Sequence, residues 1–369
     1  MAKTVTHLIT GLGKGGAESM LYQVVKYRTD REITQQVISL GAGHYYEGPI
    51  RDLGVPVTEL AFRTRPASGF LRLVKLLRGT DTLFCWMYHA NFVGYLAGRL
   101  SKVPRIVWCI RHSSLDPKLN KRSSLFLIRL CARRSRRVAA VAYNGEQARL
   151  VHEAIGYAPE KGCVLPNGCN CGEYAPDGTA REELCRELGL HGEKQIILSV
   201  TKDAPIKDVP TFIRAFGRLH RNRTGTAAVL CGGGIEPENR RLAALCAEEG
   251  LEIGRDIFLL GLRHDVPKLL ASCDLYILHS AGEAFPNTLV QAMSCGCLCA
   301  ATDVGDVKHI LPDSRWIIQP GNADILAKKI VELLELPPEA ARDIRAQNRR
   351  TVQERFDIYQ IVKKYEALF

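Results

Sequence analysis

The sequence of 369 residues lacks several features that define whole classes of protein. It contains no apolar run of the length that a transmembrane helix needs, so we expect no membrane-spanning segment. Residues 1–10 lead directly into a strand and lack the apolar core and cleavage site of a signal peptide, which favours a cytoplasmic protein. We find no internal repeat and no low-complexity tract, which argues against a solenoid or a disordered chain.

Metal-binding and disulfide patterns are also missing, although 13 cysteines are present. Their spacing does not repeat the paired Cys-x-x-Cys of a structural zinc site. Cys85, Cys109 and Cys231 lie within apolar runs, so we expect reduced and mostly buried thiols. The close groups 169–171 and 295–299 are better explained as small core residues, and the sequence predicts no metal site.

Acidic residues are scarce relative to basic ones, and the formal net charge is +11. Such an excess favours an acidic partner: nucleic acid, anionic lipid or a phosphorylated substrate. Two segments, Arg63–Arg78 and Lys118–Arg137, combine basic residues with the apolar residues of a helix. Each one alone is explained by an ordinary helix with a solvated basic face. Their presence in the same half of the chain favours an anionic membrane surface as a partner.

The residues that are present alternate between short apolar strands and helices along the chain. This order predicts an α/β protein of two doubly wound, Rossmann-like domains. We place the first domain at residues 1–165, an interdomain passage at 166–192, and the second domain at 193–350. Two α/β domains with a hinge between them imply that they face each other across a cleft.

The most informative stretch of the sequence is Ser280–Gly296. It follows an apolar strand, Leu275–His279, and Pro286 suits the first position of a helix. A loop between a strand end and a helix start is where α/β sheets bind ligands, because the helix offers free amides to phosphate. Glu283 lies in this loop, where it can accept hydrogen bonds from hydroxyl groups beside a phosphate.

This stretch resembles the carboxyl-terminal signature of retaining GT-B glycosyltransferases of the family-4 type. The family pattern is a Glu, seven residues, and a second Glu followed by Ala-Met; Glu283 matches the first position, whereas Gln291 occupies the second. The resemblance implies that Glu283 holds the donor sugar and that Gln291 meets the ribose, where an amide can hydrogen-bond without charge. It also implies donor contacts by the intervening residues Ala284, Phe285, Pro286, Asn287, Thr288 and Leu289.

Two further parts of the second domain are similar to the same family. Ser199–Asp208 follows the first strand of that domain. Lys207 matches a family lysine and Lys202 replaces an arginine, so the resemblance implies that both cations grip the donor diphosphate. Leu262 and Arg263 resemble the stretch that meets the nucleotide base.

The first domain carries the remaining matches. The loop Gly11–Glu18 resembles the family's Gly-Gly-Ala-Glu loop, in which Gly15 and Gly16 face the donor, and a structural tight turn is the alternative. His112 matches the family's histidine near the donor sugar, and a histidine at a strand end is placed for proton transfer. The residues that we expect on the acceptor side are His89, Asn91 and Arg111. In the family, the last helix, 351–369 here, crosses back onto the first domain.

The resemblance implies a GT-B enzyme that moves a sugar from a nucleotide-sugar, which we expect to be a UDP-sugar, to a glycan or lipid-linked acceptor with retention. Lys202, Lys207 and helix N-termini would stabilise the departing diphosphate, so we expect no cofactor and no required metal. We expect it to be cytoplasmic, peripheral on the inner face of the membrane, and without a nucleic-acid partner.

Three alternatives stay open at this point. A nucleotide-sugar epimerase of GT-B architecture would keep the fold and need no acceptor. A basic nucleic-acid-binding protein would explain the charge, but the chain has no recognisable recognition helix and only 7% aromatic residues. A catalytically silent nucleotide-sugar binder would explain Gln291.

Overall fold

The chain folds into two compact units, each built on one parallel sheet. The first unit is Met1–Gly168 with Ile358–Phe369, and the second unit is Cys169–Asp357. This confirms the predicted pair of Rossmann-like α/β domains. The computed structural model describes residues 3–41, 43–62, 64–117, 120–190 and 194–369. Arg63 and Lys118, which begin the two basic segments, lie outside these ranges.

The described part of the first unit forms a seven-stranded parallel sheet. Its strands are β1 (Thr4–Ile9), β2 (Thr34–Ser39), β3 (Val57–Glu59), β4 (Thr82–Trp86), β5 (Arg105–Ile110), β6 (Ala140–Tyr143) and β7 (Gly162–Val164). The α-helices between these strands are α1 (Gly16–Lys26), α2 (Glu47–Asp52), α3 (Pro66–Leu76), α4 (Tyr88–Leu100), α5 (Arg122–Ala132) and α6 (Glu146–Ala154). The strand order is β3-β2-β1-β4-β5-β6-β7, so the winding direction reverses between β1 and β4.

The helices of the first unit cover both faces of its sheet. One core cluster joins α1 and α2 to strand residues such as Val5 and Phe84, and another joins α3, α4 and α5 to strand residues such as Leu8 and Cys85. Neighbouring strand residues fall into different clusters because successive side chains of a strand point to opposite faces. The helices of the two basic segments, α3 and α5, therefore lie on the same face of the sheet, with α4 in contact with each of them.

The second unit repeats this plan with a six-stranded parallel sheet in its described part. Its strands are β8 (Gln195–Val200), β9 (Thr226–Cys231), β10 (Ile257–Leu259), β11 (Leu275–Leu278), β12 (Leu298–Thr302) and β13 (Ile317–Ile318). Its helices are α7 (Ala180–Glu187), α8 (Val209–Asn222), α9 (Arg240–Glu248), α10 (Val266–Ser272), α11 (Asn287–Ser294), α12 (Val307–Ile310), α13 (Ala323–Leu334) and α14 (Pro338–Arg355). The order is β10-β9-β8-β11-β12-β13, and the winding reverses between β8 and β11.

The prediction of a single last helix starting at residue 351 is wrong, because α14 continues to Arg355 and a separate helix, α15 (Ile358–Glu366), follows. Phe356 causes the break by packing into the core of the second unit, where its ring lies 5.7 Å from the ring of Phe285. α15 then buries Ile358 and Tyr365 in the core of the first unit.

Two other expectations can be compared with the structure. All 13 cysteines are free thiols and most of them are buried, as predicted. Among the described residues, no helix has both the length and the apolar character needed to cross a bilayer.

Candidate functional site

The switch point of the second unit carries a cavity of about 360 Å³. It opens where β8 and β11 end side by side, and the start of α11 completes its wall. The lining residues are Ser199, Val200, Thr201, Lys202, Lys207, Leu278, His279, Ser280, Glu283, Phe285, Pro286, Asn287 and Thr288. The fold therefore brings three predicted catalytic residues of this unit together with four residues of the predicted donor segment.

Glu283 and Lys207 form an ion pair at the wall of this cavity. The Lys207 Nζ atom donates to Glu283 Oε1 at 2.5 Å, and the Ser280 hydroxyl donates to the same oxygen at 2.7 Å. The side chains of Glu283 and Lys207 are only 11% and 23% exposed. A shielded ion pair keeps its geometry because separation would leave a charge with little solvation. The cavity wall thus presents a cation and a hydrogen-bond acceptor in fixed positions.

The backbone around the ion pair is held from two sides. The Ala281 amide donates to the Ile206 carbonyl oxygen at 2.9 Å, which ties the loop of Glu283 to the turn that carries Lys207. On the other side, Gly305 has a φ of +51°, and a Cβ atom there would lie 2.5 Å from the Glu283 carbonyl oxygen. Glycine is required at this position both for its conformation and for the space. The loop that carries Glu283 is therefore fixed by contacts outside the cavity.

Lys202 differs from Lys207 because its side chain is exposed. No hydrogen bond or ion pair joins it to another residue in the described part of the chain. Its backbone is nevertheless constrained: the Asp203 amide donates to the Gly233 carbonyl oxygen at 2.8 Å. Gly232, with a φ of +136°, packs so closely that a Cβ atom would overlap the Thr201 carbonyl oxygen. Lys202 is therefore an exposed cation on a constrained backbone, which suits the neutralisation of an incoming anion.

The floor of the cavity contains two residues to which the sequence analysis assigned no role, His279 and Ser280. His279 is fully buried, and its Nε2 atom lies 2.9 Å from the hydroxyl oxygen of Ser199. Burial lowers the pKa of His279 to about 4, so its ring is neutral at pH 7. The signal that could have found both residues is the polar pair His-Ser at the end of an apolar strand.

The predicted donor segment divides between the cavity and the core. Leu289 is fully buried in the core, and Ala284 does not line the cavity as the structure describes it. Thr288 does line it, and its Oγ1 atom accepts a hydrogen bond from the buried Tyr276 hydroxyl at 2.6 Å. Gln291 lies half-buried further along α11 and is not among the lining residues. Its ribose contact stays a prediction.

Leu262 and Arg263 follow Gly261 in the loop after β10. Leu262 is 68% exposed, which leaves an apolar side chain available to a planar ligand. The guanidinium of Arg263 donates to Asp265 at 2.8 and 2.6 Å and also pairs with Glu187. These carboxylates raise the pKa of Arg263 above its ordinary value and hold its side chain in place. Contact of Leu262 and Arg263 with a base stays a prediction.

In the first unit, the glycine loop lies at the switch point between β1 and β4. Gly15 is the N-cap of α1 and Gly16 is its first residue, and both are exposed. No side chain caps this end of the helix in the described structure. Exposed backbone amides at a helix start can bind an anion. The predicted donor contact of Gly15 and Gly16 is compatible with this arrangement.

After β4 the chain enters α4 almost at once, because this helix begins at Tyr88. His89 and Asn91 therefore lie in its first turns. His89 is exposed, whereas Asn91 is fully buried. When the nitrogen and oxygen of the Asn91 side-chain amide are exchanged, which satisfies both atoms, the nitrogen donates to the carbonyl oxygens of Cys85 and Met87 at 2.7 and 3.2 Å. This geometry supports a structural role for Asn91 and leaves His89 available to a ligand.

Arg111 and His112 follow β5 and have different environments. Arg111 is 9% exposed; its guanidinium donates to the Tyr365 hydroxyl at 2.7 Å and to the Asn167 side chain. These contacts tie the end of β5 to α15, and the acceptor contact of Arg111 stays a prediction. His112 is half-buried, with its Nε2 atom 3.1 Å from Asn120 Oδ1.

In the part of the chain that the structure describes, one group of side chains has the spacing of metal ligands: His44, Glu47 and Glu59 in the first unit. Glu47 already pairs with His44 at 2.9 Å and with Arg51 at 2.9 Å. None of these residues was predicted to take part in function.

Two families match successive parts of the chain. Residues 14–173 match Glycosyltransferase Family 4, and residues 180–351 match Glycosyl transferases group 1. The two matches cover nearly all of both units.

Several individual proteins are also similar to this chain. N-acetyl-alpha-D-glucosaminyl L-malate synthase of Bacillus anthracis is 28% identical to this chain. The match covers 51% of this chain and 48% of that protein. N,N'-diacetylbacillosaminyl-diphospho-undecaprenol alpha-1,3-N-acetylgalactosaminyltransferase of Campylobacter jejuni is 26% identical over 90% of this chain and 92% of its own length. The crystal structure of Anabaena HepE in complex with UDP superimposes with a TM-score of 0.87 at 22% identity, covering 99% and 98% of the two chains, which shows a shared fold.

Proposed function

Because this chain belongs to the glycosyltransferases, with one half in family 4 and the other in group 1, we propose that it transfers a sugar from a UDP-sugar to a hydroxyl group with retention of configuration. The single observation that supports this most is the cavity at the ends of β8 and β11, with its two lysines and Glu283. Transfer requires a site that neutralises a departing diphosphate and holds the sugar beside it, and these residues have the charges for both tasks.

The two lysines would act on the diphosphate in different ways. Lys207 is fixed by Glu283 and contributes a preorganised positive charge. Lys202 is exposed and can move to the phosphates as they bind. The first amides of α11 adjoin the cavity and add the positive end of the helix. Together these groups would stabilise the negative charge that grows on the leaving group, so we propose that no metal ion is required.

Glu283 would bind the sugar of the donor. Its carboxylate accepts hydrogen bonds from Lys207 and Ser280 through Oε1. The other oxygen, Oε2, can accept from a sugar hydroxyl, because an ionised carboxylate has about four acceptor positions. The structure thus supports a role in which Lys207 and Ser280 orient the carboxylate that grips the sugar.

The choice of a UDP-sugar draws on what the relatives are named for. One similar Escherichia coli protein is a UDP-Gal:alpha-D-GlcNAc-diphosphoundecaprenol alpha-1,3-galactosyltransferase, and similar HepE structures contain UDP or UDP-glucose. A mannosyltransferase of Mycolicibacterium smegmatis that depends on GDP-mannose is also similar. We propose a UDP-sugar and make the guanosine donor a competing outcome of the test.

The first unit would present the acceptor. We propose that His112 and the amides of Gly15 and Gly16 face the donor, that His89 contacts the acceptor, and that Asn91 and Arg111 position the backbone that carries them. The acceptor would be a glycan or a lipid-linked saccharide, since several relatives are named for undecaprenyl-diphosphate acceptors. The enzyme would then work on the cytoplasmic face of a membrane as a peripheral protein.

A donor screen tests the proposal directly. A true donor stabilises the folded protein by mass action, so the melting temperature should rise with UDP-sugars and less with GDP-mannose. Transfer is then measured with the stabilising donor and an undecaprenyl-diphosphate-linked saccharide, with and without EDTA, and the anomeric configuration of the product is read by NMR. Stabilisation by no nucleotide-sugar would overturn the proposal, and isomerised sugar without acceptor would indicate an epimerase.

A further inference from the structure

One face of the first unit has an unusual combination of charge and exposed apolar side chains. Between Glu59 and Glu146 the sequence contains 17 Lys and Arg residues and only two acids, Asp81 and Asp116. The helices α3, α4 and α5 come from this segment and cover the same face of the sheet, and none of them contains an acid. The positive charge of the chain is therefore concentrated in this segment, and five of its basic residues lie on the three helices: Arg72, Lys75, Arg99, Arg122 and Arg129.

The same three helices expose large apolar side chains. Leu71 of α3 is 71% exposed, Leu100 of α4 is 65% exposed and Phe126 of α5 is 70% exposed. Single exposed apolar residues are ordinary, but a set on adjacent helices of one face marks an interaction surface. Contact between these apolar side chains and water is unfavourable. Insertion of the side chains into an apolar medium would remove that contact.

A groove of about 760 Å³ lies within this face. Phe70, Tyr95, Leu96 and Leu100 form its apolar walls, and Arg99, Arg134 and Arg137 form its basic rim. None of the three arginines has a carboxylate within ion-pair distance among the residues that the structure describes. Three unpaired guanidinium groups around an apolar groove are complementary to a ligand with an anionic head and an apolar body.

We propose that this face docks on an anionic phospholipid bilayer, with lipid phosphates at Arg99, Arg134 and Arg137 and with Leu71, Leu100 and Phe126 in the interfacial layer. The docking proposal rests on the proposed function for the identity of the acceptor. It deepens that function by naming the surface that meets the membrane. A bilayer fits better than nucleic acid, because the exposed side chains are mostly aliphatic and offer few rings for base stacking. The basic residues supply the attraction to anionic headgroups, and the apolar residues supply the insertion.

Vesicle flotation of the full chain tests this docking. The wild type should bind vesicles that contain 30% phosphatidylglycerol about 100-fold more tightly than pure phosphatidylcholine vesicles, given the contribution of about three arginines. The triple variant Arg99→Gln, Arg134→Gln, Arg137→Gln should lose most of this preference. Phe126→Ser should weaken binding at high salt, where the apolar contribution dominates.

A matched control separates the groove from net charge. Arg214, Arg240 and Arg342 are exposed residues of the second unit, and their replacement by Gln removes the same charge. This control should bind vesicles like the wild type. Equal losses in both triple variants, or equal binding of the wild type to both kinds of vesicle, would overturn the proposal. Loss of RNA binding in the groove variant with vesicle binding intact would assign the face to nucleic acid and overturn it as well.

Failure of the docking proposal can be distinguished from failure of the proposed function. The groove residues lie outside the cavity at β8 and β11, so the groove variant should show the same melting-temperature shift with a nucleotide-sugar as the wild type. Vesicle binding without any nucleotide-sugar stabilisation would leave the docking surface in place and remove the enzymatic proposal.

Discussion

The two units share one topological plan and use it differently. In both sheets the winding reverses beside the first strand of the unit, between β1 and β4 in the first and between β8 and β11 in the second. At the second reversal, charged side chains line a cavity, with Lys207 paired to Glu283. At the first reversal, α1 begins with the exposed backbone of Gly15 and Gly16. Asn91, which follows β4, is buried with its side-chain amide directed at backbone carbonyl oxygens.

This difference suggests a division of labour. A site with fixed charges discriminates one ligand, because every charge must find its partner in the right place. A site of exposed backbone and few committed side chains tolerates many shapes. We infer that the second unit holds the constant part of the reaction, the activated sugar, and that the first unit meets the variable part, the acceptor.

The largest effect should come from the charge of Glu283. Glu283→Gln keeps the shape of the side chain but removes the charge that pairs with Lys207, so transfer should fall about 100- to 1000-fold. The variant is assayed for initial rate at saturating donor. Glu339→Gln, an exposed residue at the start of α14, should behave like the wild type. Turnover at the wild-type rate in Glu283→Gln would weaken the comparison, since the fixed carboxylate of the second unit would then not be essential.

Acid should affect the first unit more than the second. Burial lowers the pKa of His7 and His152 in the first unit, and of His279 in the second, to about 4 in each case. The unfolded chain takes up these protons below a pH of about 6.5. The contribution of each neutral histidine to the free energy of unfolding is therefore fully present above that pH and is lost as the pH falls towards about 4. Each histidine accounts for a loss on the order of 3 kcal/mol.

Hydrogen–deuterium exchange between pH 7 and 4 reads this difference for each unit separately. Amides of β1 and β4 should lose protection at a higher pH than those of β8 and β11, because their unit contains two of the three histidines that are buried among the described residues. Earlier opening of the second unit would contradict the expectation.

The two lysines of the cavity should respond differently to removal. Lys202→Ala should weaken UDP-sugar binding about tenfold, the value of one charged hydrogen bond, with an unchanged melting temperature. Lys207→Ala should weaken binding similarly and also destabilise the fold by about 1–3 kcal/mol, because Glu283 loses its partner. Calorimetric titration and thermal unfolding separate the two. Equal stability of both variants would mean that the second unit is no more preorganised than the first.

The smallest effect is expected at Gln291. Gln291→Glu restores the charge of the family pattern on α11, and a charged acceptor binds a hydroxyl more strongly than an amide. Donor affinity should rise up to about tenfold, with no change for a donor analogue that lacks ribose hydroxyls. Equal gains for both ligands would show that residue 291 does not meet the ribose.

Some of this arrangement could be predicted from the sequence, because it depends on local patterns. The alternation of apolar strands and helices predicts two parallel sheets, and parallel strands end at the same edge, which brings Lys207 and Glu283 together from distant positions. The pairing of these two side chains in one cavity follows from the fold class.

Other features depend on tertiary contacts that no local pattern shows. Met87, the residue before α4, adopts a φ of +73°, which is uncommon for a residue other than glycine and which no local sequence pattern reveals. The buried state of Arg111 requires Asn167 and Tyr365, which lie far along the chain. The break at Phe356 likewise depends on a ring, Phe285, in a different element.

The return of α15 to the first unit has a consequence for biosynthesis. The core of the first unit is completed by late residues, and its other buried members lie within the first 165 residues. The late members are Ile358, Ile361, Val362, Tyr365 and Phe369. A ribosome must therefore translate the whole second unit before the first can close its core, and the early segment waits with exposed apolar surface. Nascent chains of this protein are expected to engage chaperones through their earliest part, and release should follow the synthesis of residues 358–366.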